Sequence, residues 1–249
     1  MNSRKALVSL AAACILLLLN FPVMCQSLFF RSTEVEWNNE PVKVKLLHQD
    51  KEGYLWLGTS HGLFKYNGLD YQHYPIAGDS SGQHAVTALH EDKNKVLWVG
   101  YDDGVVAVLK DRKLRPVKLA GKKLTTGIAA ILLDDRQVLW IATSGEGLLY
   151  GKEGKFQHLD IRKGLPDNYT YSLAKDASGA VWVGTDRGIG ICRLQHGKVK
   201  VQVLNSGHGL PDNIVTVLTP ASDVNMWVGT QSAGFCKYNP KLKIGRAHV

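Results

Sequence analysis

The sequence predicts an all-β protein built as a β-propeller, and three observations carry that expectation: a recurring tryptophan, a recurring spacing and a recurring glycine turn. LWLGTSHGLFKY at 55–66, LWVGYDDGVVAV at 97–108, LWIATSGEGLLY at 139–150, VWVGTDRGIGIC at 181–192 and MWVGTQSAGFCKY at 226–238 are variants of one segment. Their tryptophans, Trp56, Trp98, Trp140, Trp182 and Trp227, stand 42, 42, 42 and 45 residues apart. A period of this length marks a repeat architecture whose units bury their faces against their neighbours.

The elements of one unit follow in order. Nine residues before each tryptophan stands Leu47, Leu89, Ile131, Leu173 or Leu218, expected to end a first strand. Six before it stands Asp50, Asp92, Asp134 or Asp176, with Ala221 in the fifth unit. These aspartates open a turn by bonding side chain to backbone, and Gly53 and Gly179 supply positive φ where glycine is kept. The tryptophan strand comes next, its indole expected to fill the contact between blades. A glycine turn then leads to a third strand, with Gly62, Gly104 and Gly188 six residues after the tryptophan and Gly147 and Gly234 seven after it. YQHY at 71–74, RPVKL at 115–119, FQHL at 156–159 and VKVQVL at 199–204 mark the fourth strand. Four short antiparallel strands in one such unit make a propeller blade. No unit holds a helical segment with an apolar face, which excludes the helical repeats of similar period.

Five four-stranded blades are therefore visible, fewer than the seven-bladed ring expected, and the chain reads as truncated just after the third strand of blade five. FFRS at 29–32 resembles a fourth strand and would complete the last blade of a closed ring. Residues 1–25 read as a signal peptide: Arg4 and Lys5 precede an apolar run from Ala6 to Leu19, Pro22 breaks it, and cleavage is expected before Gln26. An uncleaved signal anchor is the alternative. Residues 26–240 are the propeller segment and 241–249 a terminal piece, in which IGRAHV at 244–249 reads as a translated sequencing adapter and is set aside. No other stretch reaches the length of a membrane span.

The formal charge of +8 is scattered and includes Arg4 and Lys5, so no basic patch for nucleic acid is expected. Cys192 and Cys236 remain after the signal segment, too few for a disulfide framework, and read as buried small hydrophobes whose pairing stays open. The histidines are dispersed, with no HExxH or CxxC, so no metal and no cofactor are expected. The aspartates recur at symmetric positions around the ring, which is a turn requirement and not the paired carboxylates of a glycosidase. No catalytic residue is assigned and the chain is not expected to be an enzyme.

Ligand contact is sought at the rim, where loops stand free of the buried strands. The position two residues after the turn threonine varies, holding His61, Asp103, Gly145, Arg187 or Ser232. His61, Asp103 and Arg187 are the candidates among them. GLPDN recurs at 164–168 and 209–213, and its Asn168 and Asn213 are further candidates, although local bonding to the backbone already accounts for them. Asn168 also begins an N-glycosylation sequon.

GLPDNYTYSLAKDASGAVWVGTDRG at 164–188 and GLPDNIVTVLTPASDVNMWVGT at 209–230 resemble the two-component regulator propeller repeat. The resemblance spans about 29–240; blades two and three depart from it, lacking GLPDN and carrying Tyr101 for the threonine and Ala142 for the glycine. It implies the periplasmic sensor region of a Bacteroidetes-type hybrid sensor histidine kinase, anchored in the inner membrane and homodimeric. The implied partner is an extracellular oligosaccharide or another small ligand, with no nucleic acid bound by this segment. Membrane contact would come only through the signal segment or a C-terminal helix beyond this sequence. Two alternatives stay open: a propeller module of another exported protein, such as one coupled to a diguanylate cyclase, and, more remotely, a propeller polysaccharide lyase.

Overall fold

The computed structural model describes residues 34–79, 84–119, 123–239 and, as backbone alone, 244–248. The signal peptide at 1–25 and FFRS at 29–32 lie outside the described residues. Five four-stranded antiparallel sheets follow one another, each with its strands in sequence order. The first strands are Val44–Gln49, Val86–Glu91, Ile128–Leu133, Thr170–Lys175 and Val215–Pro220. The tryptophan strands are Leu55–Thr59, Leu97–Tyr101, Leu139–Thr143, Val181–Thr185 and Met226–Thr230. Gly62–Tyr66, Val106–Lys110, Leu148–Lys152, Gly188–Gln195 and Phe235–Asn239 are third. Tyr71–Tyr74, Lys113–Pro116, Lys155–Leu159, Lys198–Leu204 and Ile244–His248 are fourth.

Three strand boundaries are corrected. The first strands run two residues beyond Leu47 and its equivalents, because the ladder continues until the aspartate turn begins. In blade two the fourth strand is Lys113–Pro116, since a two-residue turn with Asp111 and Arg112 at positive φ starts the return earlier. Blade five does not stop at its third strand: Ile244–His248 pairs with Phe235–Asn239 and completes the sheet. Main-chain pairing is indifferent to side chains, so it leaves the origin of those residues untouched.

First strands of consecutive blades pack on one another, which places them innermost. Each carries a bulge at the same place, between Val44 and Leu46, Val86 and Ala88, Ile128 and Ala130, Thr170 and Ser172, and Val215 and Val217. A bulge increases local twist, and here it recurs where the strand enters the blade. The core lies between blades. Trp56, Leu63 and Tyr74 of blade one pack with Val99, Tyr101 and Leu114 of blade two, and Trp182 and Ile189 of blade four with Val215, Val228 and Tyr238 of blade five. Trp56, Trp140 and Trp182 are buried as expected, whereas Trp98 and Trp227 are half-buried. The glycine two residues after the tryptophan admits the next blade. A Cβ on Gly100 would stand 2.5 Å from Ile128 of blade three, and one on Gly184 2.5 Å from the Val215 carbonyl of blade five. Cys192 and Cys236 are both buried and unpaired. Burial pushes the Cys192 thiol up to about 12.

Candidate functional site

Antiparallel order puts the turns between strands one and two, and between three and four, on one face. The turns between strands two and three share the opposite face with the segments that enter each blade. The first will be called the aspartate face and the second the glycine-turn face.

On the aspartate face the recurring carboxylates carry a bond that spacing alone does not reveal. One oxygen of Asp50 accepts the amides of Glu52 and Tyr54, and the other accepts the Trp56 indole N–H at 2.8 Å. Asp92, Asp134 and Asp176 hold Trp98, Trp140 and Trp182 in the same way at 3.2, 3.1 and 2.9 Å. One side chain thus shapes the turn and fixes the rotamer of the core indole. Burial pushes the Asp176 carboxyl up, but the bonds from Ser178, Trp182 and Ala180 outweigh it and hold the group below the usual range. Asp50 is held low for the same reasons. In blade five, where Ala221 stands, Asp223 accepts the Asn225 amide at 3.0 Å and the Lys237 ammonium at 2.8 Å.

The five rim candidates all lie on the glycine-turn face, where Asp103 and Arg187 are tied to the chain entering their own blade. Asp103 pairs with His84 Nδ1 at 2.7 Å, and the other ring nitrogen of His84 stands 2.9 Å from Asp79. Arg187 pairs with Asp167 of GLPDN at 3.2 Å. Ser232, at the same turn position, gives its amide and hydroxyl to Asp212. In blade three the inserted Glu146 takes over, accepting the amides of Thr125 and Thr126 at 2.7 and 3.1 Å. His61 bonds Ser60 through Nδ1 at 2.9 Å, and its carbonyl lies 3.1 Å from His73 Nε2. Asn168 Oδ1 accepts the Ile161 amide, and Asn213 Oδ1 the Ser206 amide, each seven residues back. Both bonds close a loop around a short 3-10 helix, Ile161–Lys163 or Ser206–His208, that ends in a left-handed glycine, Gly164 or Gly209. In blades two, four and five the variable turn position is therefore a blade latch. Sequence reasoning missed two exposed aromatics here. Tyr169 lies beside Gly145, and Tyr171 donates to Asp186 at 2.6 Å, a bond that pushes the phenol up to about 12.

On the aspartate face a cleft of about 370 Å³ opens where the first strands of blades two to five end. Leu133, Leu173 and Pro220 form apolar wall, and Lys93, Asp135 and Lys175 stand around it, the last two paired. His90 Nε2 accepts the Leu133 amide at 3.2 Å, so its proton is on Nδ1, and burial lowers its basicity. Among the described residues no group of three or more His, Cys, Asp or Glu is placed to hold a metal ion, and no helix is long and apolar enough to cross a membrane.

The family described as Two component regulator propeller matches residues 164–187, one repeat of blades four's span. Among curated proteins no sequence matches this chain. The fold is similar to the extracellular domain of a protein described as a hybrid two component system of B. thetaiotaomicron, at 23% identity and a TM-score of 0.68, over 86% of this chain and 30% of that one. It is similar also to the extracellular domain of one described as a one component system of the same organism, at 24% identity and a TM-score of 0.67, over 86% of this chain and 29% of that one. Virginiamycin B lyase from Staphylococcus aureus shares the fold at 15% identity and a TM-score of 0.66, over 86% of this chain and 71% of that one. The chain spans about 30% of the length of the two B. thetaiotaomicron domains.

Proposed function

We propose that this chain is a ligand-receiving propeller segment of an extracytoplasmic sensor, part of a membrane-anchored two-component protein of the hybrid histidine kinase kind. The observation that carries the reading is the coincidence of two likenesses: a regulator-propeller repeat in blade four and a fold shared with extracellular domains of two-component and one-component systems. In this reading the protein acts in the periplasm, the complete ring has seven blades, and the ligand is an extracellular oligosaccharide. Two ectodomains shift against each other when it binds, which requires the ligand to favour one arrangement over the other.

The chain is read as a binding module without catalysis, although a lyase shares its fold. Its recurring carboxylates are each spent on a turn and an indole, and Asp103, Asp167 and Asp212 on latches within a blade. A carboxylate held in this way serves the fold at every blade and marks out no single site. The test is the genomic sequence downstream of the codon for Pro240. Further blades, a membrane helix and a histidine kinase core are expected there, with IGRAHV absent. A different output domain would overturn the kinase reading.

A further inference from the structure

Blades one and five differ from the other three at one packing position. The residue paired across from the repeated tryptophan is Lys65, Val108, Tyr150, Ile191 or Lys237. In blade three Tyr150 stacks on Trp140 at 5.3 Å, and in blade four Ile191 is itself buried, so that both indoles are fully enclosed. Lys65 places a charge at that position instead: Trp56 stays buried, and the ammonium keeps to water and to polar neighbours. Its Nζ stands 3.7 Å over the Tyr54 ring, 5.1 Å from the Trp56 ring and 3.9 Å from Asp50. Beside it runs a groove of about 540 Å³ on the aspartate face, between the turns of blade one and Leu109 and Arg112 of blade two. Through Glu52, Trp56, Lys65 and Leu109 it runs on into a cleft of about 160 Å³ that reaches Glu91 and Lys95.

The chemistry of the walls selects the occupant. Glu52, which pairs with Lys95 at 3.6 Å, lines the groove with Asp70, Lys65 and Arg112, so the signs balance and a strongly charged ligand meets like charge whichever sign it bears. Asn67 Oδ1 is spent on the amides of Leu69 and Asp70, and Gln72 Oε1 on the Tyr74 hydroxyl. Their amide nitrogens, the Arg112 guanidinium and the Asp70 carboxylate have no hydrogen-bond or ion-pair partner among the described residues. Donors and acceptors therefore stand side by side with an aromatic ring, Tyr54, that is 37% exposed. A row of hydroxyls, each able to donate and to accept, matches such a wall, and the C–H faces of a sugar ring match the aromatic.

We propose that the groove between blades one and two binds a neutral, hydroxyl-rich ligand of the oligosaccharide class. The proposal rests on the sensor reading for its biological sense, and on the groove alone for its chemistry.

Isothermal titration calorimetry of the full chain with maltohexaose, cellohexaose, xylohexaose and mannohexaose tests it, with hexagalacturonate as the anionic contrast. At least one neutral hexasaccharide is expected to bind more tightly than the anion. Asp70→Ala, Arg112→Ala and Tyr54→Ala should each weaken that binding tenfold or more, while Lys175→Ala in the other cleft leaves it unchanged. Unfolding midpoints matching the wild type show that the three exposed-site variants fold. Binding lost in Lys175→Ala but kept in the groove variants would overturn the groove and leave saccharide sensing standing. Failure of all four neutral sugars to bind would overturn the proposal itself, while the sensor reading is decided separately by the downstream sequence.

Discussion

Replacing Asp176 by alanine removes the acceptor for the Trp182 indole at 2.9 Å, for the Ser178 and Ala180 amides at 2.8 and 3.0 Å, and for the Ser178 hydroxyl at 2.6 Å. The losses are unequal. Trp182 is fully buried, so its N–H finds no water, and an orphaned buried donor costs about 1–3 kcal/mol. The turn groups reach solvent and lose roughly 0.5 kcal/mol each. About 3 kcal/mol in total is expected, a large share of the roughly 5–15 kcal/mol that holds a domain folded. Urea unfolding followed by tryptophan fluorescence measures it. Asp176→Asn keeps one oxygen and can serve the indole or the turn but not both, so it should lose about half as much. Asp135→Ala, one blade away, removes only an exposed ion pair with Lys175 and should cost less than about 1 kcal/mol. If Asp176→Ala unfolds within about 0.5 kcal/mol of the wild type, the indole bond carries no stability and the reason given for the recurring aspartate fails.

Three further outcomes follow from the same geometry. Asp50 and Asp176 are both depressed below their ordinary 3.8, so their stabilisation is fully present above that value and is lost as pH falls through the lower folded value. The urea midpoint should hold from neutral pH to about 5 and drop below 4, more gently in Asp176→Asn. Gly188, at φ 112°, would place a Cβ 2.1 Å from the Leu204 carbonyl, whereas Gly179, at φ 80°, faces open space. Gly188→Ala should therefore destabilise by more than about 3 kcal/mol and Gly179→Ala by roughly 1, read from the same unfolding curves. Asn168→Ala should cost about 1 kcal/mol by freeing the Ile161 amide, yet leave ligand affinity unchanged in calorimetry, because its oxygen is already spent.

The blade period and strand order were legible because tryptophan, aspartate and glycine recur at fixed offsets, and each is demanded by backbone geometry or by close approach. Gly100 and Gly184 show the demand directly, since the next blade's first strand occupies the place of a side chain. The bond from Asp134 to the Trp140 indole was not legible. Its six-residue spacing is visible, but only the folded turn brings the two groups together. The fourth strand of blade five was missed because main-chain pairing asks little of side-chain type. The latches at the rim were not legible for a physical reason: Arg187 and Ser232 stand far in sequence from their partners, and only contact shows that these are Asp167 and Asp212. The groove left no motif at all, since it arises where the repeat fails.

That last point separates folding from recognition. A residue kept in each blade builds a feature five times over, whereas a single binding site needs a departure from the repeat. Lysine replaces an apolar partner of the tryptophan in blades one and five, and the two lysines differ. Lys237 is bonded to Asp223 at 2.8 Å, the aspartate that shapes the turn beside Ala221. Lys65 lies 3.9 Å from Asp50, whose oxygens already serve the indole and the turn. Replacing Lys65 by isoleucine, the residue blade four carries as Ile191, removes the ammonium from the groove wall and from the Tyr54 ring. It removes a cation–π contact of about 0.5–1 kcal/mol and adds no carbon, since both side chains carry four, so stability should fall by no more than about 1 kcal/mol. Neutral oligosaccharide binding should weaken in the same variant, because the wall loses a hydrogen-bond donor. Calorimetry and urea unfolding on one preparation separate the two effects. A folded variant that still binds as well as the wild type would show that the Lys65 ammonium plays no part in recognition.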